Sequence, residues 1–449
     1  MQQPRVAIVG GGLAGCECAL HLARHGIAVT LMEQKPLRYS PAHVMPKLAE
    51  LVCSNSLRSD ELTSGVGLLK QEMRDLGSAF MAVADAVRVP AGKALAVDRE
   101  AFADGMERLI AGTPGLTVER CVIEGLDDPR LRLRETEDGE GFDRVVIAAG
   151  PLAGDELSAS LAAAVGAEHL YFYDAIAPIV AFDSIDMSIA FWGSRYEEPG
   201  SGDYLNCPMN EEEYRRFYTA LIEADKLAAH AFEKEIHFEG CMPVEALAAR
   251  GERTLTFGPL KPVGLTDPRT GRRPFAVLQL RPENAARTLF NLVGCQTKMT
   301  YPAQDRVFRL IPGLEHADFV RYGSMHRNTY VNAPQALAAD LSLRNRPRIH
   351  LAGQISGVEG YVESAACGLW AALSVRAALL GLPLQQPPQV TALGALLAHL
   401  ATPVKNFQPS NAHFGLMPEP DQKIKKRDRK QFYSDRAREA FALWRATLR

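Results

Sequence analysis

The sequence predicts an α/β protein: a Rossmann-like, doubly wound parallel sheet with an inserted α+β domain and a helical C-terminal region. Three observations carry this expectation. Residues 5–33 read as strand, glycine-rich turn, helix and strand, the unit that opens a doubly wound sheet. Further strand-and-glycine segments stand far apart at 142–150 and 347–373, so the first domain is expected to be completed from both ends of the chain. Between them, from about 176 to 334, short aromatic and β-branched runs alternate with Pro, Gly and polar turns. The expected organisation is 1–175 for the first part of a dinucleotide-binding domain, 176–334 for the insert, 335–385 for the completion and 386–449 for a helical region with a basic tail.

Each element has its own signal. Arg5-Val6-Ala7-Ile8-Val9 is apolar and β-branched, as a buried strand requires. A helical pattern follows the glycines and runs to His25, where Gly26 stops it. Residues 27–32 are strand-like again and lead to Glu33. Residues 60–80 and 98–111 have amphipathic helical periodicity, and 82–97 reads as strands around a Pro90-Ala91-Gly92 turn. Residues 142–150 form a strand ending at Gly150, and one charged helix is expected at 210–235. Ile349-His350-Leu351-Ala352-Gly353 returns to a strand, followed by a loop with Gly357 and Gly360 and a small-residue helix. Residues 374–449 read as mostly helical, with a Pro-rich break at 383–388. No internal repeat or low-complexity tract is visible.

Composition narrows the function. Apolar residues make up 47% and charged residues 23%, values that exclude disorder, collagen and coiled coil as descriptions of the whole. With 50 Lys+Arg against 53 Asp+Glu, the net charge of −3 excludes a globally basic nucleic-acid coat. The charge is uneven, because residues 421–449 hold ten Lys+Arg and four Asp+Glu. Eight cysteines are too sparse for a disulfide scaffold and suit a reducing cytosol, so a cytoplasmic protein is expected. No segment reads as membrane-spanning, since Arg376, His399 and Pro403 cut the most apolar stretches. The apolar run at the N-terminus belongs to a glycine pattern rather than to a signal peptide.

That pattern is Gly10-Gly11-Gly12-Leu13-Ala14-Gly15, a GxGxxG between strand and helix. Gly10 permits the tight turn, Gly12 lets the backbone approach a pyrophosphate, and Gly15 allows close helix–strand packing. Glu33 ends the next strand, where a carboxylate can hold a ribose hydroxyl. FAD and NAD share this fingerprint. The strand ending at Gly150 and the loop at 353–363, with Gly353, Gln354, Gly357 and Glu363, favour FAD, and no second GxGxxG marks a dedicated NAD(P)H domain.

Two cysteines have distinctive neighbours. Cys53 precedes Ser54, Asn55 and Ser56, which can cap a helix, and Arg58 is near, a setting expected to lower a thiol pKa. Cys241 stands in Gly240-Cys241-Met242-Pro243, a turn that can present a side chain to a cleft. Buried packing is the ordinary role of cysteine and is expected for Cys16 and Cys18; Cys121, Cys207, Cys295 and Cys367 have no distinctive setting. HExxH, CxxC, EF-hand and Walker A patterns are missing, so neither a metal site nor an NTPase is expected, and His230 and His237 read as flanking a helix surface. The basic run from Lys423 to Lys430 reads either as a solvated helix face or as a phosphate-contacting strip for RNA.

Several blocks carry a family resemblance. They are the glycine turn, Cys53-Ser54-Asn55-Ser56, Gly240-Cys241-Met242-Pro243, residues 258–265, 273–280, 321–330 and 352–366, and Asn406-Phe407-Gln408-Pro409-Ser410-Asn411-Ala412-His413-Phe414-Gly415. From residue 5 to about 420 the chain resembles the folate- and FAD-dependent tRNA (uracil-C5) methyltransferases. One departure is at 294–301, where the family pattern has an aromatic in place of Cys295 and a His near Lys298. The larger flavoproteins that modify wobble uridine share the glycine turn and the Ala352-Gly353-Gln354 loop, but they are longer, and the Cys53 block belongs to the smaller family.

The resemblance implies transfer of a one-carbon unit from methylenetetrahydrofolate to the T-loop uridine of tRNA, position 54, giving 5-methyluridine. Reduced FAD supplies electrons, and NADH or NADPH replenishes it. The implied partners are the T-arm of tRNA and folate, with no metal and no membrane. C5 of uracil is a poor nucleophile, and thiolate addition at C6 turns it into an enolate that can attack a methylene. The resemblance gives that thiolate to Cys241 and makes Cys53 a second functional thiol, an acid/base or a partner of the flavin. The alternatives are an FAD-dependent wobble-uridine enzyme, a small-molecule FAD oxidoreductase and a non-catalytic RNA-binding flavoprotein.

Overall fold

A computed structural model describes residues 3–136, 139–166, 170–197, 202–227, 242–405 and 407–448. Cys241, His230 and His237 lie outside the described residues. The apolar strand Arg5–Val9 takes an inner position of a six-stranded sheet. On one side it pairs in parallel with Ala28–Glu33, which pairs in turn with Leu116–Arg120. On the other it pairs with Arg144–Ile147, and that strand with Arg346–Leu351; the short Ser342–Leu343 closes the edge antiparallel. Strand order therefore reverses between Arg5–Val9 and Arg144–Ile147, the switch point at which doubly wound sheets open a crevice beyond their C-terminal strand ends.

The helix Leu13–Arg24 has almost every residue buried because it packs against both the sheet and the long helix Tyr361–Leu380. The two helices approach closely: a Cβ on Gly368 would lie 2.2 Å from the Ala14 carbonyl oxygen. By length and composition Tyr361–Leu380 passes as a membrane span, yet 83% of its apolar window is buried in this core, which explains its all-round hydrophobicity.

The insert builds a separate core. Its antiparallel sheet runs Phe191–Trp192, Leu205–Met209, Ala276–Pro282, Leu289–Leu292, Ile179–Ala181, Phe319–Arg321. The helix Glu211–Glu223 starts at a capping box of Asn210 and Glu213 and buries Tyr214, Phe217 and Leu221. A ribbon of Leu170–Ala175 and Met325–Tyr330 links the two halves.

Three sequence expectations need correction. Residues 54–56 cap no helix: Ser56–Ser59 is a strand, and the next helix, Gly65–Asp75, is capped by Ser64. Residues 82–97 are not all strand, because the helix Ala79–Ala86, capped by Ser78, extends into the interval before Arg88–Val89 and Ala94–Val97. After Ala392–Ala401 the described residues are mostly irregular, with short turns at Phe414–Leu416 and 426–428, and α-helix resumes at Arg429–Arg445. This C-terminal region joins the first core through Leu393, Leu396, Phe407, Phe441 and Trp444.

Candidate active site

The crevice at the switch point is lined by Gly10, Gly11, Gly12, Leu13, Ala14, Glu33, Gly150, Gly353 and Gln354, so the fold gathers nine of the twelve expected cofactor residues around one cavity. Gly10 has φ +103°, and a Cβ there would stand 2.4 Å from the Ala148 carbonyl oxygen. Gly12 is different, since its φ is −78° and nothing lies within 4 Å of a Cβ. The space beside it is thus left open at the N-terminus of Leu13–Arg24, the partially positive end that attracts phosphate.

Glu33 is buried at the cavity wall. Its Oε2 accepts the Gly11 N–H at 2.7 Å and its Oε1 the Lys35 N–H at 2.8 Å. A carboxylate has about four lone-pair sites, so capacity is left for a ribose hydroxyl. Tyr361–Leu380 brings a second helix N-terminus to the same cavity, through Tyr361 and Ser364. Two helix N-termini, an open glycine backbone and a strand-end carboxylate fit a dinucleotide.

Gly15, Gly357 and Glu363 do not line this cavity. A Cβ on Gly15 would fall 1.9 Å from the Gly10 carbonyl oxygen, so this glycine lets the helix meet the turn. Gly357 packs on Phe407, 2.6 Å from where its Cβ would be. Glu363 is fully buried, pairs with the Arg58 guanidinium and accepts the Ala412 N–H at 2.7 Å. Arg58 and Glu363 therefore hold each other.

Sequence reasoning missed a polar wall made of Lys35, Ser40, His43 and Glu50. Lys35 Nζ lies 3.3 Å from Glu50, and Ser40 Oγ is 2.5 Å from His43 Nδ1. Burial, followed by the Lys35 charge, pushes the His43 pKa down, which keeps its ring neutral. The only visible signal was a set of scattered polar residues after Glu33, and their convergence is a tertiary effect. Cys121, which the sequence left without a setting, also lines the cavity.

Cys53 sits beside the cavity in an irregular segment whose Val52 lines it. Its N–H donates to Tyr361 Oη at 2.6 Å, and the Ser54 N–H donates to the same oxygen at 3.1 Å. Burial and the nearby Cys53 raise the Tyr361 pKa, so the phenol stays protonated. From the insert, Arg281 donates to Asn55 Oδ1 at 2.9 Å and to Ser54 Oγ at 2.7 Å. Asn55 Nδ2 donates back to the carbonyls of Val97 and Pro282. Arg99 and Arg321 lie close enough to interact electrostatically with Cys53. Among the described residues, no group of three or more His, Cys, Asp or Glu is arranged to hold a metal ion.

The family described as glucose inhibited division protein A matches residues 5–383. A methylenetetrahydrofolate--tRNA-(uracil-5-)-methyltransferase TrmFO of Oleidesulfovibrio alaskensis is 66% identical over 442 residues, 98% of this chain and 97% of that protein. The protein of the same description from Geotalea daltonii is 53% identical over 449 residues, the whole of both chains. Among solved structures, Aquifex aeolicus GidA superposes with a TM-score of 0.67 at 16% identity, over 98% of this chain and 74% of that one, a likeness of fold.

Proposed function

The chain belongs to the methylenetetrahydrofolate--tRNA-(uracil-5-)-methyltransferase family, within the wider glucose inhibited division protein A group, and from that premise we propose its reaction and the roles of its residues. It is a methyltransferase that uses methylenetetrahydrofolate to methylate C5 of a tRNA uridine, which we take to be the T-loop uridine. The observation that carries this reading is identity above one half across essentially the full length of several such enzymes. The small-molecule oxidoreductase and the wobble-uridine enzyme have no comparable support.

The residues around the cavity suit FAD, with the Gly10–Gly12 backbone and the helix N-terminus at the pyrophosphate and Glu33 at a ribose. Bound FAD supplies the reducing equivalents that complete the methyl group, and NADH or NADPH restores them. The Cys241 thiolate adds to C6 of the uracil, and its electron pair makes C5 an enolate carbon able to attack the methylene. Once the C–C bond forms, a base takes the C5 proton as the methylene's bond to its carrier nitrogen breaks, and a hydride equivalent added to the methylene completes the methyl as the thiolate leaves C6. Cys53 is our candidate for that proton or for a flavin-directed role, because its backbone is pinned by Tyr361 at the cavity wall and the family resemblance makes it the second functional thiol. We place the reaction in the cytoplasm, where the sparse cysteines stay reduced.

The test is methyl transfer to an unmodified tRNA transcript with methylenetetrahydrofolate and NADH or NADPH. Cys241→Ala should abolish transfer and leave FAD content unchanged. A transcript carrying 5-fluorouridine should form a covalent protein–RNA adduct, because fluorine cannot leave as a proton does. Mapping that adduct to a residue other than Cys241 would overturn the assignment.

A further inference from the structure

Three rings form a ladder on the insert, running from its core to its surface. Phe319 is nearly buried and stacks on Tyr322, with centroids 5.5 Å apart and planes at 16°. Tyr322 stacks on Tyr301 at 4.8 Å and 17°. Tyr301 is 54% exposed, so the last rung presents aromatic surface to solvent. The geometry of this exposed ring is held in advance by a buried clamp. Gln304, fully buried in the helix Tyr301–Phe308, donates to the carbonyls of Met299 and Gly323 at 2.8 and 2.9 Å. Its Oε1 accepts the Gly323 N–H at 2.8 Å. The clamp ties the start of the Tyr301 helix to the strand end that carries Tyr322.

The ladder stands at the root of the segment that carries Cys241. The chain leaves the described residues after Leu227, whose N–H donates to the Lys298 carbonyl. It returns at Met242, and the Val244 N–H donates to the Gln296 carbonyl at 2.7 Å. Both ends are therefore moored to residues 296–298, three to five positions before Tyr301. The same helix carries an exposed cation: Arg306 shares Asp225 at 3.5 Å, an exposed pair weak enough for a phosphate to compete with. The Tyr322 hydroxyl donates to Asp305 at 2.9 Å, so the middle ring cannot swing away.

We propose that Tyr301, backed by Tyr322 and Phe319, is a stacking platform for an unpaired base of the RNA substrate, with Arg306 meeting a flanking phosphate. This rests on the tRNA reading above. An RNA base is favoured over a protein partner because the outermost rung is a single planar ring in a rigid parallel stack, on a helix that also carries an exposed guanidinium. Splayed bases of RNA loops are held in this way, with little dependence on base identity and little ordering cost when the platform is preformed.

The experiment measures binding of a T-arm hairpin carrying 2-aminopurine at successive loop positions to the FAD-loaded enzyme. Wild type should quench the fluorescence of at least one unpaired position. Tyr301→Ala and Tyr301→Leu should both weaken binding by about 5- to 150-fold and lose that quenching. Tyr301→Trp should keep both, while FAD content and NAD(P)H oxidation stay at wild-type level in all three. Tyr301→Leu covers Tyr322 with apolar surface, so it separates loss of a π-face from loss of packing. Unchanged hairpin affinity in Tyr301→Ala overturns the inference, as does a change confined to oligomeric state, which would assign the ring to a protein contact. If wild type itself fails to methylate tRNA, the functional reading fails, and that result is separate from the comparison of variants.

Discussion

The three motif glycines answer to different constraints. Gly10 and Gly15 are required by the protein itself, since a Cβ at either would meet backbone atoms at 2.4 and 1.9 Å. Gly12 is required by nothing in the chain, because its φ is ordinary and its Cβ direction is empty. Gly12→Val should therefore fold with nearly unchanged stability and lose FAD, read as missing flavin absorbance in a protein with a normal urea midpoint. Gly15→Ala should instead lower stability by about 1–3 kcal/mol through overpacking, with cofactor loss following from the distorted turn. If Gly12→Val retained FAD, the pyrophosphate would not lie against this turn. The GxGxxG spacing announced the motif, but only the packing shows which glycine serves the fold and which the ligand.

Buried carboxylates tie helices together. Glu17, inside Leu13–Arg24, accepts the Phe80 N–H at 2.7 Å near the start of Ala79–Ala86. Glu72 accepts the N–H groups of Ala392 and Leu393, the first turn of Ala392–Ala401. Burial raises the Glu17 pKa to about 7 and that of Glu72 to about 8, so each carries a proton in the fold that the unfolded chain releases at lower pH. The folded state binds more protons between the two pKa values, so stability is greatest below about pH 4.3 on this account and falls as pH rises through about 7 or 8. Urea unfolding at pH 5 and pH 8 should show this loss, with about 3 kcal/mol attributable to Glu17. Glu17→Gln should remove that part of the slope, and an equally steep variant would refute the assignment. Apolar periodicity announced a helix within 60–80, but the start at Ser64 and the second helix capped by Ser78 emerge only in the structure. The Ser54–Ser56 cluster carries the same cap signal, but its polar groups are taken by Arg281 and by neighbouring backbone, and a strand follows instead.

Across the whole molecule, the two cores meet at the Cys53 segment. Tyr361 holds it from the first core and Arg281 from the insert, and an Arg99–Glu283 pair at 2.6 Å closes the same seam. The basic run lies apart from this seam, mostly exposed and ahead of the helix Arg429–Arg445, which packs on the first core through Phe441 and Trp444. A run anchored in this way can contact RNA phosphates without ordering a loose tail. Replacing Lys423, Lys425, Lys426 and Lys430 by Gln should weaken tRNA binding and flatten the plot of log K against log salt by about 0.7–0.9 per lost contact. FAD content should not change. Unchanged affinity at every salt concentration would leave the run as a solvated surface.

The sequence by itself determined the doubly wound sheet and the glycine turn that leads to a strand ending in Glu33. Those features are written in local periodicity and in fixed spacings that act over a few turns of chain. Only the tertiary structure decided that Arg58 holds Glu363, that Arg99 and Arg321 attend Cys53, that Tyr361 pins the Cys53 backbone, and that Lys35, His43 and Glu50 form a cavity wall. All but the last join groups from different elements, most of those hundreds of residues apart, and the last folds one irregular segment back on itself. Partner choice among buried charges is set by which element ends converge at the switch point, a quantity that no local pattern contains.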